Sequence, residues 1–229
     1  MNGNSQSRKQ VRRIRNTFFG ARSRLGGWLA EAGNLRISPR YRGLRWLSTA
    51  ILLLLAIQLA TGILLSLYYS PEPEAAYASA RFLNERVPSG WLMRSTHSWA
   101  GELLLVAVIA HIVCAYFRRA YEHPREYQWL IGALMLPAIV GFRFTGRLLP
   151  WDAYGHEVSR QGLEILEQVP LLGHLTATWL RGGEQMGPNT LARFFTTHTL
   201  VLPWLVVALL AAHLFLAHRY GMKKPEEEA

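Results

Sequence analysis

The chain has 229 residues, half of them hydrophobic, with 25 Lys and Arg against 15 Asp and Glu and a formal charge of +10. Very apolar blocks alternate with very basic ones, a pattern that excludes an ordinary soluble globule. A single cysteine, Cys114, excludes an intrachain disulfide and a CxxC redox or metal motif.

The first 45 residues hold eleven Lys and Arg, with neither an apolar h-region nor a small-residue cleavage site, so they do not read as a signal peptide. Within them RKQVRRIRNTFFGARSRLGGWL alternates Arg with Val, Ile, Phe and Leu. That pattern predicts an amphipathic helix lying on anionic lipid. A nucleic-acid-binding arm is the competing reading of a basic run, and the adjoining spans, which fix the chain at a membrane, argue against it.

Four stretches approach the roughly 20 apolar residues that cross a bilayer, at about 46–69, 95–117, 128–147 and 197–218. The third carries Pro137 and Arg143; Pro is tolerated in a membrane helix where neighbours satisfy the freed carbonyl. The predicted plan is a basic arm over 1–45, a four-helix domain over 46–222 with a connecting segment at 148–192, and a charged tail over 223–229. The fold class is therefore an all-α membrane bundle of four spans with amphipathic surface helices. Four spans put both termini and the 118–126 loop on one face. That face carries 17 Lys and Arg against 7 on the other, so it is the cytoplasmic, or n, side. The second and fourth spans then run in the same direction, from the p side to the n side.

The second span, in STHSWAGELLLVAVIAHIVCAYF, places His97 and His111 at a spacing of fourteen. Fourteen helical steps end about 40° short of four turns with a rise of about 21 Å, so both rings share one face near opposite leaflets. The fourth, in TTHTLVLPWLVVALLAAHLFLAHRY, places His198 and His213 at a spacing of fifteen. That step is about 60° past four turns and about 22 Å along the axis. The depths match in pairs, His97 with His198 and His111 with His213. Each pair suits a flat cofactor with two axial positions, and haem is such a cofactor, with histidine a familiar ligand. Ionisable residues inside a span are costly and mark function by default. One intramembrane histidine would leave a proton relay, an interhelical hydrogen bond or a ligand open; four at matched depths favour ligation. His218 reads as interfacial, and His123, His156 and His174 as loop residues.

Gly132 and Gly146 in the third span repeat the step of fourteen, and Ser48 precedes Gly62 in the first span by the same step. Small side chains there let a porphyrin edge or another helix approach closely. Cys114 reads as a small core residue.

The motifs QLATG (58–62), GWLMRSTHSW (90–99), HPREYQW (123–129), TGRLLPWDAYG (145–155) and RFFTTHTLVLP (193–203), with the histidine spacings, resemble the cytochrome b family. The likeness runs from about 39 to 222 and is strongest to the short, split b6 form, for which a spacing of fifteen in the fourth helix is typical. The resemblance implies a subunit of a bc- or b6f-like quinol:cytochrome c oxidoreductase holding two non-covalent b-type haems. The p-side haem would use His97 and His198, the n-side haem His111 and His213. Electrons from p-side quinol oxidation would cross to n-side quinone in a Q-cycle that contributes to proton translocation. The implied setting is a bacterial inner membrane with both termini cytoplasmic. The implied partners are a Rieske-type iron–sulfur protein, a c-type cytochrome and a separate subunit-IV-like chain carrying the PEWY element, in a dimeric complex.

The resemblance also assigns Arg94 and Arg193 to haem propionates, for which a guanidinium fork is suited. It makes 148–192 a pair of surface helices roofing a quinol-oxidation pocket, with Trp151, Asp152 and Tyr154 at its mouth; capping or interface roles for these three stay open. Arg143 is expected to face the p-side haem or the quinol pocket, with snorkelling to the interface as the alternative, and Glu102 has no assigned role. Trp46 stands where oxygenic relatives have a cysteine, so no covalent c-type haem is expected. Cys114 stands where the family often has Arg, which moves n-side propionate anchoring to Arg118, Arg119 or Arg219. A di-haem anchor of a formate dehydrogenase or hydrogenase is the alternative reading, disfavoured by LPWD and the paired spacings.

Overall fold

A computed structural model describes residues 42–220, so the readings of the basic arm and the charged tail lie outside the described residues. The helices are α1 (Arg42–Ser66), α2 (Pro73–Arg86), α3 (Gly90–Phe117), α4 (Glu126–Leu148), α5 (Ala153–Glu167), α6 (Gly173–Arg181), α7 (Pro188–Thr196) and α8 (Leu202–Tyr220). A π turn, Thr197–Val201, fuses α7 to α8. Among the described residues, four stretches are long and apolar enough to cross a membrane: Gly43–Ser66, Gly90–Phe117, Glu126–Leu148 and Pro188–Tyr220. The second and fourth begin earlier than hydropathy suggests, because polar turns such as RST and PNTLAR continue the helix beyond its apolar stretch.

Local chemistry sets the ends. Pro73 opens α2 at a position where its missing N–H costs nothing. The Asp152 carboxylate caps α5 by accepting from the Gly155 N–H at 2.6 Å. Gly182, at φ 74°, closes α6 in the left-handed region. Gly90 begins α3 where a β-carbon would collide with the Leu83 carbonyl oxygen, so only glycine lets α2 and α3 meet there.

Packing follows a definite plan. α1 lies along α3, α4 lies along α8, and α3 meets α4 in a smaller contact. The midplane core joins Leu104 and Val108 of α3, Ala138 and Ile139 of α4 and Val206 of α8, with Ile51, Leu54 and Leu55 of α1 against it. A second core at one end of the bundle ties Leu148 of α4 to Leu163, Ala177, Leu180 and Phe194 of α5, α6 and α7. Outside these cores the spans present large apolar side chains outward, among them Trp99, Val106, Trp204 and Phe215. A contiguous surface of that kind is what lipid solvates.

Candidate functional site

α3 and α8 each pack on a flanking helix rather than on each other, and the histidines meet across the space between them. The His97 and His198 ring centres are 6.3 Å apart with planes at 62°. Those of His111 and His213 are 6.5 Å apart at 69°. The sequence arithmetic predicts these same pairs.

The unequal spacings have a structural cause. In the π turn the Leu202 N–H bonds to the Thr197 carbonyl, five positions back. One residue is absorbed in that wider turn, so the fifteen steps from His198 to His213 rotate as fourteen would in a regular helix. The overshoot of about 60° expected from even stepping does not arise, and the second pair falls under the first.

Each imidazole is oriented through Nδ1. The Thr61 hydroxyl lies 2.8 Å from His97 Nδ1 and the Thr145 hydroxyl 3.0 Å from His198 Nδ1. Both hydroxyls already donate their one hydrogen to a carbonyl one turn back, Ile57 at 2.6 Å and Gly141 at 2.8 Å. Towards the ring they can only accept. Ser48 repeats the arrangement, donating to Leu44 and lying 3.4 Å from His111 Nδ1, a longer and weaker contact. His213 Nδ1 donates to the Gln128 carbonyl at 2.9 Å. These contacts favour the proton on Nδ1, firmly in three rings and weakly in His111, which leaves the Nε2 lone pair for a metal; none of these bonds uses Nε2.

The small residues touch the rings themselves. A β-carbon on Gly62 would lie 3.4 Å from His97 Cε1, on Gly132 2.9 Å from His213 Cε1, and on Gly146 2.7 Å from His198 Cε1. Ser48 completes the set with its bond to His111. Sequence reading assigns these positions to a porphyrin edge or a helix contact; here they clear room for the imidazoles.

These residues fit haem on two grounds. The first is tautomer: four Nε2 lone pairs in two pairs. The second is distance. A metal–imidazole bond of about 2 Å, with each ring centre about 1 Å further out, puts two axial rings about 6 Å apart. His111 and His213 also line a cavity of about 50 Å³ with Leu44, Gln128 and Trp129.

The other predicted residues occupy several separate settings. Arg94 and Asp152 line one polar cavity of about 430 Å³ with Tyr77, Arg81, Asn84 and Glu85. Arg193 meets α6: its Nη1 donates to the Trp179 carbonyl and its guanidinium lies 5.7 Å from that indole's centre. Arg143 is tied to Glu102, an ion pair between α4 and α3. Trp151, half-buried, sets its ring edge-on to His156 at 5.7 Å. Asp152 is the α5 cap, and Tyr154 is 62% exposed beneath the Arg147 guanidinium, 4.1 Å from the ring centre. Each of the four quinol-pocket candidates thus has a contact of its own within the described residues. At the end of α3, Arg118 donates to the Cys114 carbonyl at 3.3 Å.

Two features escape sequence reasoning. Thr61 and Thr145 each precede a glycine that meets an imidazole of the His97–His198 pair, so the repeated Thr-Gly dipeptide is the signal that could have found them. Tyr69, beyond the end of α1, donates to the Leu149 carbonyl at 2.5 Å and stacks on Phe195. Burial pushes its phenol up from the ordinary range, so it stays a proton donor.

Comparison with known proteins bears on all of this. The family model described as cytochrome b/b6/petB matches residues 37–221. A cytochrome b6 of Synechococcus sp. (strain RCC307) is 37% identical over 169 residues, 74% of this chain and 78% of that protein. A cytochrome b6 of Gloeobacter violaceus is 35% identical over 169 residues, 74% of this chain and 79% of that protein. A chain of a hyperthermophilic respiratory Complex III superposes with a TM-score of 0.72 at 27% identity, covering 87% of this chain. This chain spans 56% of that chain's length.

Proposed function

The chain belongs to the cytochrome b family, and on that premise we propose that it is the di-haem subunit of a bc-type quinol:cytochrome c oxidoreductase. Its described residues are all-helical, with four helices long and apolar enough to span a membrane. Its work in this reading is to carry electrons across the membrane between a p-side quinol-oxidising site and an n-side quinone-reducing site, in a Q-cycle that contributes to proton translocation. One observation carries the proposal: four imidazoles in two facing pairs, each with Nδ1 engaged and Nε2 left over.

Bound at these pairs, haem supplies a one-electron centre whose potential depends on its ligands, hydrogen bonds and burial. The chain's own residues do the rest. His97 and His198 would hold the p-side group, His111 and His213 the n-side group. Thr61 and Thr145 fix the rotation of the p-side rings and raise their basicity. Gln58 donates to the His97 carbonyl at 2.6 Å and anchors that turn of α3 to α1. Leu104, Val108, Ile139 and Val206 fill the space between the two levels and exclude water from it. Arg94, at the polar cavity, is the proposed propionate partner on the p side, and Arg118 on the n side. Trp151 and Tyr154 flank the proposed quinol pocket, while the Asp152 carboxylate is spent on the helix cap.

The proposed partners are a Rieske-type iron–sulfur protein, a c-type cytochrome and a separate C-terminal cytochrome b subunit, in a dimeric complex. The proposed setting is a bacterial inner membrane with cytoplasmic termini. Purifying the intact complex, counting haem by pyridine haemochrome and identifying its subunits tests the reading. Two b-type haems per chain are expected, falling to one in His111→Ala. Unchanged haem in that variant would refute the pairing, and a formate dehydrogenase or hydrogenase partner would refute the complex.

A further inference from the structure

Glu102 and Arg143 form an ion pair between α3 and α4, inside two spans, where unpaired charge is costly. Neither is needed to orient an imidazole, and neither belongs to a motif that carries the family resemblance. Their depth can be read from the helices. Glu102 follows His97 by five positions, about 7.5 Å of rise, and lies about 13.5 Å of rise from His111. Arg143 precedes Gly146, the residue against His198, by three, about 4.5 Å of rise. The pair therefore sits close to the His97–His198 level and far from the other.

Both side chains are partly exposed, Arg143 33% and Glu102 46%, within spans whose solvent is lipid. Gly101 has no side chain; a β-carbon there would stand 3.2 Å from Gln58 Nε2 and 3.9 Å from Arg143 Cδ. That gap lets Gln58 reach the His97 carbonyl and lets the guanidinium lie along α3. Gln58, Thr61 and Thr145, polar groups of the described residues at this level, are neutral. In a low-dielectric site a fixed charge acts on a neighbouring redox centre far more strongly than it would in water.

We propose that Arg143 and Glu102 are a charge-balanced couple that sets the reduction potential of the p-side haem. The guanidinium favours the reduced centre, which holds one more electron, and the carboxylate cancels most of that bias. The inference rests on haem binding at His97 and His198.

The test is an equilibrium redox titration of the two b-type absorption bands in the intact complex, with E102Q, R143Q and the double variant E102Q/R143Q. E102Q is expected to shift the p-side band to higher potential and R143Q to lower. The double variant should return it close to the parent, with the n-side band moving much less throughout. R143K, which keeps the charge, should titrate like the parent. An unmoved p-side band in the singles, or the same direction of shift in both, overturns the proposal in favour of a purely structural bridge. If only one single variant assembles, its direction of shift decides. If neither does, recovery of assembly at parental potential in the double variant supports charge balance, and its failure overturns it. A parent complex holding fewer than two haems would instead sink the haem reading itself, so the two failures are distinguishable.

Discussion

Gly146 of α4 stands so close to His198 that a β-carbon on it would lie 2.7 Å from the imidazole Cε1. Real β-carbons do not make that contact, so Gly146→Ala must displace either the ring or the helix. Overpacking of this kind costs about 1–3 kcal/mol. With haem at the two pairs as proposed, the expected result is loss of the haem at His97–His198 with that at His111–His213 kept. Gly132→Ala, at 2.9 Å from His213 Cε1, should do the reverse, and Gly62→Ala, at 3.4 Å from His97, should keep both. Haem content and the two resolved b-type bands measure the order.

The two threonine hydroxyls at the His97–His198 level offer a gentler perturbation. Thr61→Val and Thr145→Val keep the shape but remove the acceptor that each ring's Nδ1–H uses. A buried donor left unpaired costs about 1–3 kcal/mol, and lost outer-shell partners commonly lower metal-site affinity about 10–100-fold. Faster loss of the haem proposed at His97–His198 is expected in both variants, with that proposed at His111–His213 retained. Equal retention of both haems would mean the hydroxyls do not orient the rings.

Much of this site is legible in the sequence because helical rotation and rise are arithmetic. The steps of fourteen and fifteen give the partners His97–His198 and His111–His213 before any coordinate is known. The π turn is not legible: even stepping predicts an overshoot of about 60°, and only the Leu202-to-Thr197 bond shows where a residue is absorbed. The Glu102–Arg143 pair joins two helices whose contact no local pattern announces. A signal existed all the same. Counting depth from His97 and from Gly146 puts both charges at one level. Asp152 went to the cap because any Asp just before a helix has that local option, whatever its neighbours suggest.

Asp152 separates a capping role from a pocket role. Replacing it with Ala removes the acceptor for the Gly155 N–H at 2.6 Å, a loss of about 1 kcal/mol for a typical cap. The expected outcome is earlier thermal loss of the α5–α6 segment, followed by proteolysis within it, with haem content unchanged. Asp152→Asn should restore most of the stability, because an amide oxygen still caps. A defect in quinol oxidation that Asn fails to rescue while stability is regained would assign the carboxylate to chemistry instead.

The π turn makes the most specific prediction. If its extra residue is what reconciles fifteen with fourteen, deleting Thr199 should let Thr197–Leu202 regularise to an α-helix. His213 would then keep its direction relative to His198, and both haems should remain. Deleting Leu209, below the turn, leaves the π geometry in place and removes one true helical step, rotating everything after it by about 100°. His213 would turn away from His111 and the haem proposed at that pair should be lost. Haem counting on the two deletions decides: equal loss in both shows that chain length alone matters. Retention in the first with loss in the second shows that the wide turn sets the register of the lower pair.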